Sequence, residues 1–340
     1  MKRVLITKLS SLGDLILLLP SLFDATEAIP EIQFDWIVDQ NFQEIPLWNP
    51  FVKELFLTNH RVWRKNITAK ATRLEFFSFY NQLKEKKYDC IIDAQGNIKS
   101  ALISLLAKGR RAGFDGSSTL EWGSHFLYKK KCQASKDLHA IQKLRILFSQ
   151  ALNYPLPQTP PTYQINTSKL KKPTCSIPSQ YLIFVPIASY ESKLWPENHW
   201  KELIKECSQL GQLILLPWGN LKEKERAERL AISPNVQVLP RLSLNEIGYL
   251  ISHAKAVVSV DTGLSHIAAA LATPCITLYG PTDPTLTGTI GENQLWIRSA
   301  THCHVRCKKT CFVQKQKSIC LASISPKTVL ENLNQILSFY

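Results

Sequence analysis

Short apolar runs recur along the chain, and polar loops that often contain glycine follow them. Such runs are typical of strands that are buried on both faces of a parallel sheet. Stretches with a helical spacing of apolar residues separate the runs, and strands that alternate with helices predict a doubly wound α/β fold. The predicted strands are 3–7, 34–39, 88–94, 181–185, 213–216, 236–239, 256–260 and 295–298, and the predicted helices include 15–27, 78–87, 222–230 and 326–340.

The distribution of proline divides the chain into two parts. At 340 residues the chain is long enough for two domains, each with its own core. Between 154 and 180, prolines interrupt polar sequence that is poor in strand patterns, which indicates an interdomain linker. We expect an N-terminal domain at 1–160, a Pro-rich linker at 161–179, a C-terminal domain at 180–325 and a helix at 326–340 that packs back across the domain junction.

The composition is that of a globular, cytoplasmic protein. Hydrophobic residues make up 45% of the chain and charged residues 20%, and no apolar run approaches the ~20 residues of a membrane-spanning helix. Lys2 and Arg3 ahead of apolar residues imitate a secretory signal, but Lys8, Gly13 and Asp14 interrupt the run. The nine cysteines are an odd number without the spacing of a secreted disulfide framework, which favours a reducing cytosol.

The positive charge is concentrated in one part of the N-terminal domain. The formal net charge is +14, and residues 53–145 contain 19 Lys/Arg and 8 Asp/Glu, an excess of 11. Such a field attracts polyanions, whether nucleic acid, an anionic membrane surface or a phosphorylated glycolipid. The alternative is a set of solvated lysine faces on helices.

A turn that is suited to phosphate follows the apolar run 256–260. Gly263 allows close approach of the backbone, Thr262 offers a hydroxyl and an N–H, and the helix that follows directs its unpaired N–H groups to the same place. A bare phosphate would be repelled by Asp261, but a carboxylate accepts hydrogen bonds from sugar hydroxyls next to a diphosphate. The alternative is a plain turn in which Asp261 caps the helix.

Two further loops of the C-terminal domain carry candidate ligand groups. Lys193 lies in the loop after strand 181–185, and a cation in this loop could neutralise the charge on a departing diphosphate. The alternative is that Lys193 is an ordinary surface lysine. Glu223 lies after strand 213–216, and a carboxylate at this position could hold two vicinal hydroxyls of a sugar. The alternative is that Glu223 pairs with a cation on an exposed helix.

The N-terminal domain has loops at the corresponding edge of its predicted sheet. Gly13 and Asp14 follow strand 3–7, and Gln95 and Lys99 follow strand 88–94; open α/β sheets bind their ligands at this edge. The first loop is not a GxGxxG motif, so a dinucleotide site has little support. A structural alternative for Asp14 is a helix N-cap.

Cations cluster around one aromatic residue, Trp63, in a predicted loop at 61–65. Guanidinium groups pair bidentately with phosphate and carboxylate, so the cluster is a candidate surface for an anionic acceptor. The alternative is a solvated face. The candidate members are Arg61, Arg64, Lys65, Lys99, Arg110, Arg111 and His139.

Motifs along nearly the whole chain are similar to those of glycosyltransferase family 9, the bacterial lipopolysaccharide heptosyltransferases. The Asp-Ala-Gln-Gly and Phe-Asp-Trp elements resemble the heptosyltransferase I members most, whereas Ala188-Ser189 departs from the Thr-Thr pair of many relatives. The motifs are LSSLGD at 9–14, DAQG at 93–96 with Lys99-Ser100, SKLWP at 192–196, LPWG at 216–219, VDTGLSH at 260–266 and YGPTDP at 279–284.

The resemblance implies a GT-B fold, in which two Rossmann-like domains with mostly parallel sheets face a central cleft. It implies an inverting transfer of L-glycero-D-manno-heptose from ADP-heptose to a keto-deoxy-octulosonate (Kdo) residue of Kdo-lipid A, with no cofactor required. The N-terminal domain would bind the acceptor and the C-terminal domain the donor. The protein would bind peripherally to the anionic cytoplasmic face of the inner membrane, with no nucleic acid as a partner.

The resemblance also implies roles for individual residues. Asp14 would take the proton of the acceptor hydroxyl, and Lys193 would stabilise the departing ADP. The implied donor-binding residues are Ser189, Lys193, Glu223, Leu242, Asp261, Thr262, Gly263 and His266. The implied acceptor-binding residues are Ser10, Ser11, Gly13, Arg61, Arg64, Lys65, Gln95, Lys99 and His139.

Cysteines near the C-terminus are a weak candidate for a structural metal site. Zinc sites favour CxxC pairs, which this spacing lacks, and the chemistry of the family needs no metal. Reduced, partly buried thiols are the alternative, and we expect no metal. The cysteines are Cys303, Cys307, Cys311 and Cys320, with His302 and His304 beside them.

The sequence leaves two alternative functions open. The first is a heptosyltransferase II or another family 9 enzyme that uses a different nucleotide sugar. The second is a non-enzymatic polyanion-binding protein, which the acidic residues at each presumed ligand edge argue against.

Overall fold

The computed structural model describes residues 2–66, 68–300 and 319–338. The chain divides into two compact units, residues 1–166 (unit 1) and 167–340 (unit 2). This division falls within the Pro-rich segment 161–179, and the assignment of acceptor and donor to the two domains stays a prediction.

Unit 1 is built on a parallel sheet. The strand at the centre of this sheet is apolar and mostly buried, with Val4, Leu5 and Ile6 fully buried. Within its described residues, the strand order is β3-β2-β1-β4-β5-β6, and every pair is parallel. The strands are β1 (Lys2–Thr7), β2 (Ile32–Asp39), β3 (Val52–Thr58), β4 (Lys87–Asp93), β5 (Lys108–Phe114) and β6 (Lys130–Cys132).

Helices connect these strands, and two of them differ from the prediction. The predicted helix 15–27 is divided in two, because a Ser11 capping box starts a helix at Leu12 and Pro20 lies in the first turn of the next helix. The helix predicted at 78–87 begins earlier, at Lys70, and ends at Lys84. The helices are α1 (Leu12–Ile16), α2 (Leu19–Ala28), α3 (His60–Lys65), α4 (Lys70–Lys84), α5 (Ile98–Ser104) and α6 (Ala140–Leu152), with 3-10 turns at Gln40–Phe42, Pro46–Trp48 and Ser124–Leu127.

The basic segment 61–65 is a helix, and its prediction as a loop was wrong. Trp63 is 9% exposed and packs against Phe76 and Phe79 of α4, with ring centroids 5.7 Å and 5.5 Å apart. Burial of this one large side chain fixes α3 on α4. Arg61, Arg64 and Lys65 stay exposed on the other face.

Unit 2 repeats the architecture. Within its described residues, the strand order is β12-β11-β10-β7-β8-β9, again with parallel pairs only. The strands are β7 (Leu182–Val185), β8 (Ile214–Leu216), β9 (Val236–Val238), β10 (Ala256–Val260), β11 (Cys275–Tyr279) and β12 (Gln294–Arg298). The helices are α7 (Glu197–Gln209), α8 (Leu221–Leu230), α9 (Leu244–His253), α10 (Gly263–Ala270), α11 (Pro284–Thr287), α12 (Ile319–Ala322) and α13 (Pro326–Leu337), with 3-10 turns at Thr167–Lys169 and Glu191–Lys193.

Both sheets have the Rossmann strand order. Numbered within its own unit, each sheet runs 3-2-1-4-5-6, the doubly wound order of dinucleotide-binding folds. The predicted α/β class with two Rossmann-like domains is therefore confirmed. In such sheets ligands bind at the carboxyl ends of the strands where the winding direction reverses. These switch points lie between β1 and β4 in unit 1 and between β7 and β10 in unit 2.

The core of unit 2 includes the C-terminal helix. Trp195 and Trp200 are fully buried with ring centroids 5.0 Å apart, and the Trp195 indole donates a hydrogen bond to the Ile324 carbonyl at 3.0 Å. Val329 and Leu333 of α13 are buried in the same cluster. The described part of α13 thus packs within unit 2, and its packing across the domain junction stays a prediction.

Candidate functional site

At the switch point of unit 2, a cation meets a carboxylate. The Lys193 ammonium, in the loop after β7, donates to Asp261 Oδ2 at 2.6 Å, and the Thr282 hydroxyl donates to the same oxygen at 2.7 Å. The side chain of Asp261 is 8% exposed and that of Lys193 is 22% exposed. Two residues 68 positions apart in sequence are thus brought together at the carboxyl ends of two neighbouring strands.

The N-terminus of α10 lies directly beside this pair. Thr262 is its N-cap and Gly263 its first residue, so Asp261 does not cap the helix. The first N–H groups of a helix have no intrahelical acceptor, and the helix dipole favours an anion there. Cation, carboxylate and helix N-terminus together suit a phosphate that carries hydroxyl-bearing groups.

Glu223 is tied to the turn after β8. Its Oε2 accepts from the Gly219 N–H at 2.7 Å, and its own N–H donates to the side chain of Asn220, the N-cap of α8. The i,i+4 ion pair of this helix joins Lys224 and Glu228 instead. Glu223 is half-buried at the carboxyl end of β8, next to β7 in the sheet.

The other predicted donor residues lie at the same edge of the sheet. Ser189 is exposed in the loop after β7. Leu242 is half-buried in the loop after β9, just ahead of Ser243, which forms a capping box with Glu246 at the start of α9. His266 is 6% exposed in the first turn of α10. Their contact with a ligand stays a prediction.

Sequence reasoning missed the residue that holds the Lys193 loop. The Arg226 guanidinium donates to the Pro186 carbonyl at 2.8 Å, to the Trp195 carbonyl at 2.6 Å and to Glu197 Oε1 at 3.0 Å. Burial lowers the pKa of Arg226, while Glu197 opposes the shift. One side chain of α8 thus fixes both ends of the loop that carries Lys193.

In unit 1, Asp14 is held but half-exposed. Its Oδ2 accepts from the Ser11 N–H at 2.9 Å and from the Ser11 hydroxyl at 2.6 Å, as the third residue of a capping box. The buried Lys8 ammonium lies 4.0 Å from Oδ1 and donates to the Ala94 carbonyl at 3.0 Å. The Asp14 side chain is 46% exposed and that of Lys8 is 7% exposed. The N-cap is Ser11, so Asp14 supports the cap and keeps an accessible oxygen.

Gln95 joins the two loops of the unit 1 switch point. Its Oε1 accepts from the Leu9 N–H at 3.1 Å and from the Ser10 N–H at 3.4 Å. Ser10 is half-buried, and Gly13 is buried inside α1. The side-chain oxygen of Gln95 is thus used to fix the loop that carries Asp14, and a direct contact with an acceptor stays a prediction.

A buried carboxylate, Asp93, organises the second loop. It accepts from the Gln95 and Gly96 N–H groups at 2.9 Å and 3.2 Å, from the Ser100 hydroxyl at 2.8 Å and from the Tyr128 hydroxyl at 2.7 Å. Burial raises the pKa of Asp93, while these hydrogen bonds act in the opposite direction. Four donors on one fully buried side chain set the geometry of this loop.

Lys99 belongs to a polar cluster that includes a histidine missed by sequence reasoning. Its ammonium donates to His60 Nε2 at 3.0 Å, and His60 Nδ1 lies 3.6 Å from Asp39 Oδ2. An ammonium can donate only to an unprotonated ring nitrogen, which places the imidazole proton on Nδ1, towards Asp39. Burial lowers the pKa of His60, with Lys99, Arg61 and Arg64 adding to the shift and Asp39 opposing it. Burial lowers the pKa of Lys99 as well.

The remaining acceptor candidates lie on strand β5, which carries Arg110 and Arg111, and at the ends of helices α3 and α6. Lys65 is exposed at the end of α3. His139 is the N-cap of α6, and its Nδ1 accepts from the Ile141 N–H at 3.2 Å. His139 therefore has a structural role, and its contact with an acceptor stays a prediction.

The cysteine candidates lie mostly outside the described residues. Cys303, Cys307 and Cys311 are not among them, whereas Cys320 is buried in α12. Within 2–66, 68–300 and 319–338, no three His, Cys, Asp or Glu side chains are grouped as metal ligands. In the same residues no helix combines the length and apolarity required to cross a bilayer.

Comparison with known proteins gives consistent similarities. The family model described as "Glycosyltransferase family 9 (heptosyltransferase)" matches residues 76–317. The chain is 40% identical to lipopolysaccharide heptosyltransferase 1 of Pseudomonas aeruginosa, over 98% of each chain. It is 29% identical to lipopolysaccharide heptosyltransferase 2 of Escherichia coli, over 76% of this chain and 78% of that protein. It superposes on the structure of E. coli heptosyltransferase WaaC with ADP-2-deoxy-2-fluoro heptose with a TM-score of 0.84 at 38% identity, covering 98% of this chain and 99% of that chain.

Proposed function

Because the chain belongs to glycosyltransferase family 9, we propose that it transfers L-glycero-D-manno-heptose from ADP-heptose to a Kdo residue of Kdo-lipid A, in the synthesis of the lipopolysaccharide inner core. The family and the enzyme class that the motifs predicted are confirmed by this membership. The observation that carries the proposed reaction is the meeting of Lys193 with Asp261 beside the N-terminus of α10.

We place the donor on the carboxyl edge of the unit 2 sheet. An ammonium has three N–H donors, so Lys193 can hold a diphosphate oxygen while it keeps its hydrogen bond to Asp261. The N–H groups at the start of α10 add further donors for the diphosphate. Asp261 accepts from heptose hydroxyls and Glu223 from the ribose, with Leu242 against the adenine. The occupied structure of a similar heptosyltransferase, with ADP-2-deoxy-2-fluoro heptose, supports this class of donor.

Asp14 is the proposed general base. The acceptor hydroxyl attacks the anomeric carbon of heptose, and its proton passes to the Asp14 carboxylate as the new C–O bond forms. The hydrogen bonds from Ser11 fix one oxygen of Asp14, and the exposure of the side chain leaves it accessible to a hydroxyl. A base that is oriented and still accessible fits this step.

The bond between the anomeric carbon and the ADP oxygen breaks on the opposite face of the sugar, which inverts the configuration. Negative charge accumulates on the departing diphosphate, and Lys193 and the α10 dipole stabilise it. The surrounding side chains supply this stabilisation without a cofactor.

The anionic acceptor binds to unit 1. We assign its phosphate and carboxylate groups to Lys99, Arg61 and Arg64, which the His60 cluster brings together. The positive field of residues 53–145 favours peripheral binding at the anionic cytoplasmic face of the inner membrane.

A heptosyltransferase II is the alternative within the family, and it would differ from the proposed enzyme in its acceptor. For a heptosyltransferase II we take the heptosylated product of the proposed reaction as the alternative acceptor. The greater similarity to lipopolysaccharide heptosyltransferase 1 favours the Kdo acceptor. The non-enzymatic polyanion-binding alternative has no support in a chain of this family.

The test is ADP release by the purified chain, with ADP-heptose and either Kdo-lipid A or its heptosylated product. We expect turnover with Kdo-lipid A and little with the product; the reverse preference would contradict the acceptor assignment.

Asp14→Asn should lower kcat by at least ~10²-fold while ADP-heptose binding is kept, because the amide retains the hydrogen bonds from Ser11 but is not a base. Glu27→Gln, an exposed charge removal in the same unit, is the control.

A further inference from the structure

An exposed apolar surface lies next to the candidate acceptor loop of unit 1. Leu120 is 73% exposed, Trp122 74% and Phe126 64%, and α5 with its C-cap residue adds three exposed aliphatic side chains at helical spacing. Large apolar side chains that are exposed together mark an interaction surface more often than a chance arrangement. We call this the Trp122 surface; its residues are Ile98, Leu102, Leu105, Leu120, Trp122 and Phe126.

The loop and the helix that carry this surface are tied together. The Trp122 and Phe126 rings pack edge to face with centroids 5.5 Å apart. The Ile98 N–H donates to Glu121 Oε2 at 3.0 Å, which ties the loop of Trp122 to the first turn of α5. A Cβ placed at Gly123 would lie 4.0 Å from Ile98 Cδ1, so the Ile98 side chain lies close beside the turn that follows Trp122.

The same turn supports the Trp122 surface and the acceptor loop. The Gly96 carbonyl accepts from the Leu120 N–H at 3.1 Å, from the Glu121 N–H at 3.0 Å and from the Thr119 hydroxyl at 2.8 Å. Gly96 has a φ of +72°, a conformation that favours glycine. Lys99 follows three residues later. A partner bound to the Trp122 surface is therefore held at a fixed position relative to Lys99.

Cations border the surface. The Lys131 ammonium lies 5.9 Å from the centroid of the Phe126 ring, and Lys129 is exposed on the same short segment. The loop holds two acidic residues: the Glu121 carboxylate is hydrogen-bonded at the start of α5, and the Asp115 carboxylate accepts from the Ser117 and Ser118 N–H groups. Exposed Trp and Phe with lysines at their edge are the arrangement that binds the interface of an anionic bilayer.

We propose that the Trp122 surface docks on an anionic phospholipid bilayer and so presents the acceptor head group to the Lys99 loop. The inference rests on the proposed function, because an acceptor with acyl chains stays in the membrane while its sugar reaches the enzyme. Apolar side chains enter the interfacial region, and the lysines pair with anionic head groups.

Vesicle binding by the full-length chain tests the proposal. The wild type should co-sediment with vesicles that contain phosphatidylglycerol, less so at high salt or with phosphatidylcholine alone. Leu120→Ser/Trp122→Ser/Phe126→Ser should weaken this binding at least about tenfold, because three exposed apolar side chains are lost. Leu74→Ser/Phe77→Ser removes a matched exposed pair on α4, 60% and 57% exposed, and should bind as the wild type does. Trp122→Ser alone provides the comparison if the triple variant does not fold.

Activity separates this proposal from the proposed function. The triple variant should lose ADP release with Kdo-lipid A in vesicles, yet keep the wild-type rate with a deacylated, water-soluble acceptor. Three outcomes would each overturn the docking surface. The triple variant could bind vesicles as the wild type does, the α4 variant could lose binding instead, or the wild type could fail to bind vesicles at all. Absence of ADP release with both acceptors in the wild type would refute the proposed function, and the vesicle result would still report on the surface.

Discussion

Replacement of Lys193 by methionine should separate its electrostatic role from its structural one. Methionine keeps the length and apolar stem of lysine but removes the cation that pairs with Asp261 at 2.6 Å. Asp261 would then be an almost fully buried carboxylate whose partner is lost, with the Thr282 hydroxyl still donating to it. Both stability and turnover should fall, for different reasons.

The loss of stability follows from the burial of the pair. Removal of one partner of a fully buried ion pair costs about 3–5 kcal/mol. Lys193 is 22% exposed and Thr282 remains, so we expect a decrease of about 2 kcal/mol in the free energy of unfolding. For a unit of this size that corresponds to about 4–8 °C in Tm.

The loss of turnover follows from the charge on the leaving group. A cation directed at charge that develops in the transition state contributes about 10²–10³-fold to kcat, so Lys193→Met should lose that factor in ADP release. Lys193→Arg, which keeps the charge, is the control and should retain most of the stability.

The double variant Lys193→Met/Asp261→Asn distinguishes the two roles. The neutral amide needs no cation and still accepts from Thr282, so the double variant should recover most of the lost Tm. It should not recover kcat, because the diphosphate still lacks its cation. Recovery of kcat to within about tenfold of the wild type would refute the leaving-group role, since Lys193 would then act only by neutralising Asp261.

Three further predictions concern groups around the two sites. Arg226→Lys should lower Tm and kcat together, because one amine cannot reach all three acceptors that fix the Lys193 loop, and calorimetry with ADP-release assays measures both. Burial lowers the pKa of His60 from its ordinary value of 6.5, so the stability that neutral His60 contributes is present above about pH 6.5 and is lost as the pH falls through the lower pKa of the folded state. In His60→Gln the side-chain oxygen can still accept from Lys99, but the side chain takes up no proton. Denaturant titrations should therefore show a smaller loss of unfolding free energy on acidification for this variant than for the wild type. Gly280→Ala should destabilise unit 2 by about 1–3 kcal/mol in urea titrations, because the new Cβ would lie 2.8 Å from Leu321 Cγ.

The sequence predicted most of the strands and the edges at which the candidate sites lie because both depend on local pattern, although β3, β5, β6 and β11 were not predicted. Apolar β-branched runs such as 256–260 could be buried only as central strands, and parallel strands place their carboxyl ends together. Lys193 and Asp261 follow such runs, so their proximity was foreseeable from topology. Thr282 carried the same signal, since it follows β11, the neighbour of β10.

The residues that sequence reasoning missed depend on tertiary contacts. Arg226 lies in the charged run KEKERAERL, which has the pattern of an exposed helix, and its burial comes from the loop that it binds. His60 precedes a basic segment whose helical structure depends on Trp63 packing against α4. β5 and β6 contain lysine and arginine in place of apolar runs, so they lacked a strand signal.

The two switch points hold the same pair of charges with opposite exposure. In unit 1 the lysine, Lys8, is 7% exposed and the carboxylate, Asp14, is 46% exposed. In unit 2 the carboxylate, Asp261, is 8% exposed and the lysine, Lys193, is 22% exposed. In each pair the two charges lie no more than 4.0 Å apart, and the more exposed member is the one that a reacting group can approach more easily. The exposures are therefore consistent with the proposed roles: unit 1 offers a carboxylate, as the proposed base requires, and unit 2 offers a cation, as the proposed departing diphosphate requires.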